Sequence, residues 1–212
     1  MENFDSLIFD VDGTLWDSVD VAAKAWNKII QDMDLGGSVT PEQLKNLFGK
    51  PMDVIFSTLF PGMDPSVADT FSARCMKYEN ELLLAEPGRA YPKVADTIRA
   101  LSRRIPLFIV SNCQSGYIEV CMQDLGIREY IRDTLCFGDR PVSKGQNIRY
   151  LIEKHGLKHA AYVGDTQGDA DACLEAGIPI IFAAYGFGRV QEPDHRIRAF
   201  EELLQFPYAA ES

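Results

Sequence analysis

Positive charge is scarce in this sequence. There are 21 lysines and arginines against 31 aspartates and glutamates, a formal net charge of −10. No basic tract offsets the deficit, so nucleic acid is not an expected partner, because protein affinity for phosphate backbones comes from clustered Lys and Arg. Long apolar runs are also missing. None approaches the roughly 18 residues that suggest a membrane span, so no membrane partner is expected either. The opening Met-Glu-Asn runs straight into an apolar segment without the pattern of a secretory signal. Cysteine is sparse: five residues, an odd number, with no C-x-x-C pair. They read as reduced thiols packed in apolar runs, and predict a cytoplasmic protein. Histidine numbers three, and Gly156 separates the two that come near each other, His155 and His159, so they do not share a helix face as a zinc pair would. Repeats and low-complexity segments are absent, and nothing in the pattern sets an oligomeric state.

What remains is an ordinary globular composition of 46% hydrophobic and 25% charged residues over 212 positions. Short apolar runs bounded by turn residues predict strands at Leu7–Asp10, Pro106–Ser111, Thr134–Phe137, Ala160–Val163 and Pro179–Ala183. Helical patterns fall between the later ones, at Ser115–Leu125, Lys144–His155 and Asp169–Ala176. Gly126, Gly156 and Gly177 stand where helices end. Alternating strand and helix implies an α/β fold: a Rossmann-like parallel sheet with helices on both faces. The segment 16–86 breaks the alternation. It offers no strand but four helical stretches, Asp17–Asp32, Pro41–Phe48, Met52–Leu59 and Pro65–Leu84. It reads as an all-helical cap inserted into an α/β core made of 1–15 and 87–212. Trp16 stands at the junction, where it is expected to line the entrance.

The stretch LIFDVDGTLWDS, Leu7–Ser18, poses a physical problem. An apolar strand ends in two carboxylates, Asp10 and Asp12, whose charges repel. In an open parallel sheet, ligands bind outside the carboxyl ends of the strands. Ser111 and Asn112 close the second strand, Lys144 opens the helix after the third, and the fourth runs into Gly-Asp-Thr-Gln-Gly-Asp at 164–169. Up to four carboxylates, a lysine and two hydroxyl or amide groups thus meet on one edge. Clustered carboxylates are costly without a cation, and hard oxygen donors favour Mg²⁺. Such a site suits a phosphoryl group. Asp10 is then the expected nucleophile. Asp12 is the expected acid that protonates the leaving alkoxide and the base that activates water.

Four motifs in order carry a resemblance. DVDGT at Asp10–Thr14, VSN at Val110–Asn112, Lys144, and VGDTQGD at Val163–Asp169 resemble those of the haloacid dehalogenase superfamily. The helical insertion resembles its first cap type. TLWDSVD, YPKV at Tyr91–Val94 and AYGFG at Ala184–Gly188 resemble the phosphoglycolate phosphatase-like branch. The resemblance implies a Mg²⁺-dependent phosphatase acting on a small phosphorylated metabolite, a phosphate monoester such as phosphoglycolate or a sugar phosphate, through an aspartyl-phosphate. It implies that Asp10 is nucleophile and Asp12 acid and base. Ser111 and Lys144 hold phosphoryl oxygens, with Thr14 and Asn112 in the same substrate-binding set. Asp10, the Asp12 carbonyl and Asp165 hold the metal, with Asp169 a ligand or the partner of one. Two positions depart from the branch. Lys144 is followed by Gly145 where relatives often have proline, leaving Arg140, before Pro141, as a weaker candidate for the third motif. Lys93 stands where the branch often has glycine.

Each motif has a plainer reading. Lys144 alone is a helix-surface lysine, Asp169 a helix N-cap, and Asp17 and Ser18 the N-cap of the first cap helix. Intact Asp10 and Asp12 weigh against a non-catalytic phosphate-binding module, and the second aspartate weighs against a dehalogenase, which has no alkoxide to protonate. A sugar-phosphate mutase shares the core residues and is the enzymatic rival. In the cap, LFGKP at Leu47–Pro51 joins two helices by a defined turn. Lys50 is the cap cation expected to meet the far end of the substrate, for instance a carboxylate.

Overall fold

The structure, a computed structural model, describes residues 3–209. Six strands form one parallel sheet: β1 (Ser6–Phe9), β4 (Leu107–Ser111), β5 (Asp133–Cys136), β6 (Ala160–Gly164), β7 (Ile180–Ala183) and β8 (His195–Ile197). Their order is β5-β4-β1-β6-β7-β8. The chain winds one way from β1 to β4 and β5 and the other way to β6, β7 and β8. The switch point, and with it the crevice for a ligand, therefore lies at the carboxyl ends of β1, β4 and β6.

The strands read as continuous apolar runs because both faces are covered. Alternate residues go to opposite layers, as the period of two requires. Leu7, Phe9, Leu107, Ile109, Ala161, Val163 and Ile181 join one core with α5 (Val94–Leu101) and α6 (Tyr117–Asp124). Ile8, Phe108, Val110, Tyr162 and Phe182 join the other with α7 (Lys144–His155) and α8 (Gln167–Ala176). All three glycines expected to end helices do so at positive φ, 61°, 64° and 77° for Gly126, Gly156 and Gly177.

Four helices, α1 (Val19–Asp32), α2 (Pro41–Lys45), α3 (Met52–Leu59) and α4 (Pro65–Ala85), share a third apolar cluster. Trp26 stacks on Phe56 with ring centroids 4.5 Å apart, and Phe56 meets Phe71 edge-on at 5.3 Å. Burying such side chains contributes about 1.5–3 kcal/mol each. The turn into α2 is set by Thr40 and Gln43, whose side chains cap each other's backbone N–H groups.

Several expectations need correction. The segment 16–86 does contain a strand: β2 (Trp16–Asp17) pairs antiparallel with β3 (Arg89–Ala90), tying together the chain on either side of the four helices. Two residues give no period to read. Trp16 is fully buried, edge-on to Tyr117 at 5.7 Å, and lines no entrance. The α2 helix stops at Lys45, short of Phe48, and the chain then turns through Gly49 at φ 89°. Helix α5 and strand β8 stand beyond the expected elements. β8 is a three-residue edge strand carrying His195 and Arg196, without the apolar run that marked the others.

Candidate active site

The turn after β1 is tight. The backbone N–H groups of Thr14 and Leu15 both donate to the carbonyl of Val11, at 3.2 and 2.8 Å. Gly13 takes φ 76°, and a Cβ there would lie 2.1 Å from Oδ2 of Asp165. The glycine is needed both for the left-handed turn and for the approach of a carboxylate from the end of β6.

That approach gathers the carboxylates. Oxygens of Asp10, Asp165 and Asp169 lie within 4.8 Å of one another, all three residues buried. Lys144, at the start of α7, places Nζ 3.2 Å from Asp10 Oδ1 and 2.6 Å from Asp169 Oδ1. Burial works to lower the lysine's pKa, but the carboxylates of Asp10 and Asp169 outweigh it and hold the charge on. Burial pushes Asp10 up to about 6, against the pull of Lys144 and with the repulsion of Asp169. It also raises Asp165, with Asp169 and Asp10 adding to the effect. Three buried carboxylates face one lysine, a deficit of two positive charges. Oδ1 of Asp165 is buried without a hydrogen-bond partner, and Oδ1 of Asp10 has only the lysine's charge. The donor set is all oxygen and short of positive charge, which fits a divalent hard cation.

Asp169 is not an N-cap. Thr166 is the cap of α8, and Asp169, three residues on, returns the bond: its Oδ2 accepts from the N–H groups of Asp165 and Thr166 at 3.1 and 2.9 Å. Its other oxygen takes the lysine, so Asp169 fixes both Lys144 and the Asp165 loop. Arg140 is elsewhere, with its guanidinium 4.4 Å over the Tyr150 ring. Lys144 is therefore the third-motif residue that the fold brings to the cluster. Gly145 follows it because a Cβ there would meet the Glu175 carboxylate at 2.4 Å.

Asp12 points the other way. Its Oδ1 accepts from Ser18 Oγ at 2.8 Å and Tyr117 Oη at 2.7 Å. Ser18 accordingly does not cap α1 with its side chain; Asp17 does, accepting from the Val19 N–H at 3.1 Å. Burial raises Asp12 to about 7 even though Tyr117 and Ser18 favour its charged form.

Ser111 is buried at the end of β4, and Thr14 is buried with no partner for its hydroxyl. Asn112 donates through Nδ2 to the carbonyl of Gly49 at 2.8 Å. The LFGKP turn therefore sits over the strand ends, and Lys50 is exposed on the rim of the cleft that holds Asp10, Asp12 and Ser111.

A sequence profile described as haloacid dehalogenase-like hydrolase matches residues 7–183. The chain belongs to this family. Among curated relatives, a phosphoglycolate phosphatase of Vibrio vulnificus is 27% identical over 93% of each chain. One of Aliivibrio fischeri is 28% identical over 96% of each. The crystal structure of a predicted phosphoglycolate phosphatase from Haemophilus somnus superposes with a TM-score of 0.83 at 24% identity, covering 97% of this chain and 98% of that one. Among the described residues, no helix is long and apolar enough to cross a membrane.

Sequence reading missed three contributors to this haloacid dehalogenase-like site. Tyr117 was one aromatic among many. The AYGFG stretch was noted without a role; it packs on Asp165, where the Phe187 N–H donates to Oδ2 at 2.7 Å and a Cβ on Gly186 would lie 2.4 Å from Asp165 Cβ. Glu79 is a buried acid of α4 that lines the cleft and accepts from Trp26 Nε1 at 2.6 Å. Its signal was available: Phe71, Cys75, Glu79 and Leu83 recur every fourth residue, so the acid falls on the buried stripe.

Proposed function

We propose that this protein is a Mg²⁺-dependent phosphatase that hydrolyses a small phosphate monoester through an aspartyl-phosphate on Asp10. The observation that carries the reading is the pairing of Asp10 and Asp12. One carboxylate is held in a buried cluster against Lys144. The other, two residues on, is turned away toward the hydroxyls of Ser18 and Tyr117, where burial outweighs their pull and keeps a proton available near neutral pH.

Asp10, Asp165 and Asp169, with the Asp12 carbonyl, are the groups suited to hold the cation. When bound, it supplies positive charge to a phosphoryl group and keeps Asp10 ionised. Asp10 attacks phosphorus as its P–O bond to the leaving oxygen breaks. Asp12 gives its proton to that oxygen, then takes one from the water that cleaves the aspartyl-phosphate. Lys144 and Ser111 hold the phosphoryl oxygens, with Thr14 and Asn112 beside them.

The cleft at Asp10 leaves about 30 Å³, space for water and not for a whole ester. Access requires the helical unit, proposed as a cap over 16–86 on a core of 1–15 and 87–212, to swing about the β2–β3 ribbon. Closure then excludes bulk water.

The test is phosphate release from a panel of monoesters with and without magnesium. Magnesium-dependent release supports the reading. Release that survives EDTA, or an isomerised sugar phosphate in place of free phosphate, contradicts it.

A further inference from the structure

A second chamber opens beside the catalytic cleft. It holds about 470 Å³ against about 30 Å³ in the cleft, and the two share Met52, Cys113 and Gln114 as lining. Cys113 and Gln114 directly follow Asn112 at the end of β4, so the chamber begins where the phosphoryl site ends. Its walls come from α3 and α4 on one side and from Phe137, Gly138 and Pro141 of the core on the other. The body of the wall is apolar: Phe56, Phe60, Met63, Met76 and Phe137. The charged residues lining it are Asp53 and Asp69, and no lysine or arginine is among them.

We propose that this chamber receives the leaving group, and that the preferred substrate is the phosphate monoester of an uncharged alcohol with an aromatic or apolar body. The inference rests on the phosphatase reading above and assigns its substrate class. Size points the same way as chemistry. Pockets for small organic ligands run from about 300 Å³ upward and are lined mainly by apolar and aromatic groups. A two-carbon acid leaves such a space empty, and the chamber offers no cation to draw a carboxylate into it. The methionines Met52, Met63 and Met76 adapt to ligands of different shape, so a range of such alcohols is accommodated.

The test compares ethyl phosphate, phosphoglycolate and 2-phenylethyl phosphate with the intact protein and magnesium. Ethyl and 2-phenylethyl alcohols leave as alkoxides of similar basicity, so their ratio reports binding of the body. The expected kcat/KM is at least about tenfold higher for 2-phenylethyl phosphate, equivalent to ~1.4 kcal/mol of transition-state binding. Ser72→Trp, which fills the chamber from α4, brings that ratio toward one. If this variant fails to melt cooperatively, Ala68→Phe makes the same comparison. A ratio near one in the unaltered protein, or a ratio that chamber filling leaves unchanged, overturns the proposal while leaving the phosphatase reading intact. Failure to turn over any of the three esters with magnesium overturns both.

Discussion

Tyr117 donates a hydrogen bond to Asp12 across 2.7 Å, from the first turn of α6 to the loop after β1. Ser18, from the end of the β2 ribbon, touches both at 2.8 and 2.6 Å. The carboxyl is thereby tied to α6 and to the end of the β2–β3 ribbon. Removing the phenol takes away a bond that favours the charged form. Tyr117→Phe should therefore move the pKa of Asp12 up, extending its service as an acid to higher pH. The alkaline limb of kcat/KM against pH should shift upward by ~1–2 units, about the worth of one hydrogen bond to a charged group. An unshifted limb would show that another group titrates there.

Glu79 allows a stability test away from the carboxylate cluster. Burial pushes it from its ordinary 4.5 up to about 7, with the Trp26 and Gln114 side chains pulling it down. Its folded-state pKa lies above the unfolded value, so the native state binds the extra proton. Its presence is least costly below about pH 4.5, and stability is lost as the pH rises toward about 7. The whole rise, from 4.5 to about 7, corresponds to ~3.5 kcal/mol at ~1.4 kcal/mol per unit. Glu79→Gln retains an oxygen for Trp26 and has no charge to bury. Denaturant titrations should find the variant's stability relative to the parent improving from pH 5 to pH 8. A difference constant with pH would contradict the assignment.

Much of this arrangement was legible in the sequence. Strands buried on both faces are continuous apolar runs, so five of the six parallel strands stood out, whereas β8 and the two-residue β2 and β3 carry no such pattern. Asp10, Ser111, Lys144 and Asp165 were legible because they sit at strand ends or helix starts, places that a topology assigns. Tyr117 and the Phe187 N–H were not. Their partners lie 105 and 22 residues away, and one of them acts through a backbone group that any residue could supply.

Lys93 shows how a departure noted in sequence gains a cause. It precedes α5 at φ 63°, a left-handed conformation that costs a side chain free energy and glycine little. Its side chain is exposed. Lys93→Gly should stabilise the fold by ~1 kcal/mol, read as a higher denaturation midpoint with an unchanged slope. A lower midpoint would contradict the strain.

Lys50 is exposed at the rim, so its attraction for a carboxylate is screened by water. The Lys50→Ala substitution should raise KM for phosphoglycolate by no more than about fivefold, the range of ~0.2–1 kcal/mol for exposed pairs. It should leave KM for ethyl phosphate unchanged. A loss of fiftyfold or more would place Lys50 against the substrate in a closed, dry site.

The nucleophile is the centre of the account, and trapping the intermediate tests it most directly. Protein mixed with magnesium and a ³²P-labelled monoester, quenched in acid within milliseconds and digested, should yield one labelled peptide spanning Leu7–Ser18, with phosphate on Asp10. Asp10→Asn should yield none and no turnover. Asp12→Asn should accumulate label when the leaving group is good, because attack remains while hydrolysis loses the ~10²–10⁴-fold help of its base. Label on any other residue, or steady turnover by Asp10→Asn, would contradict the account.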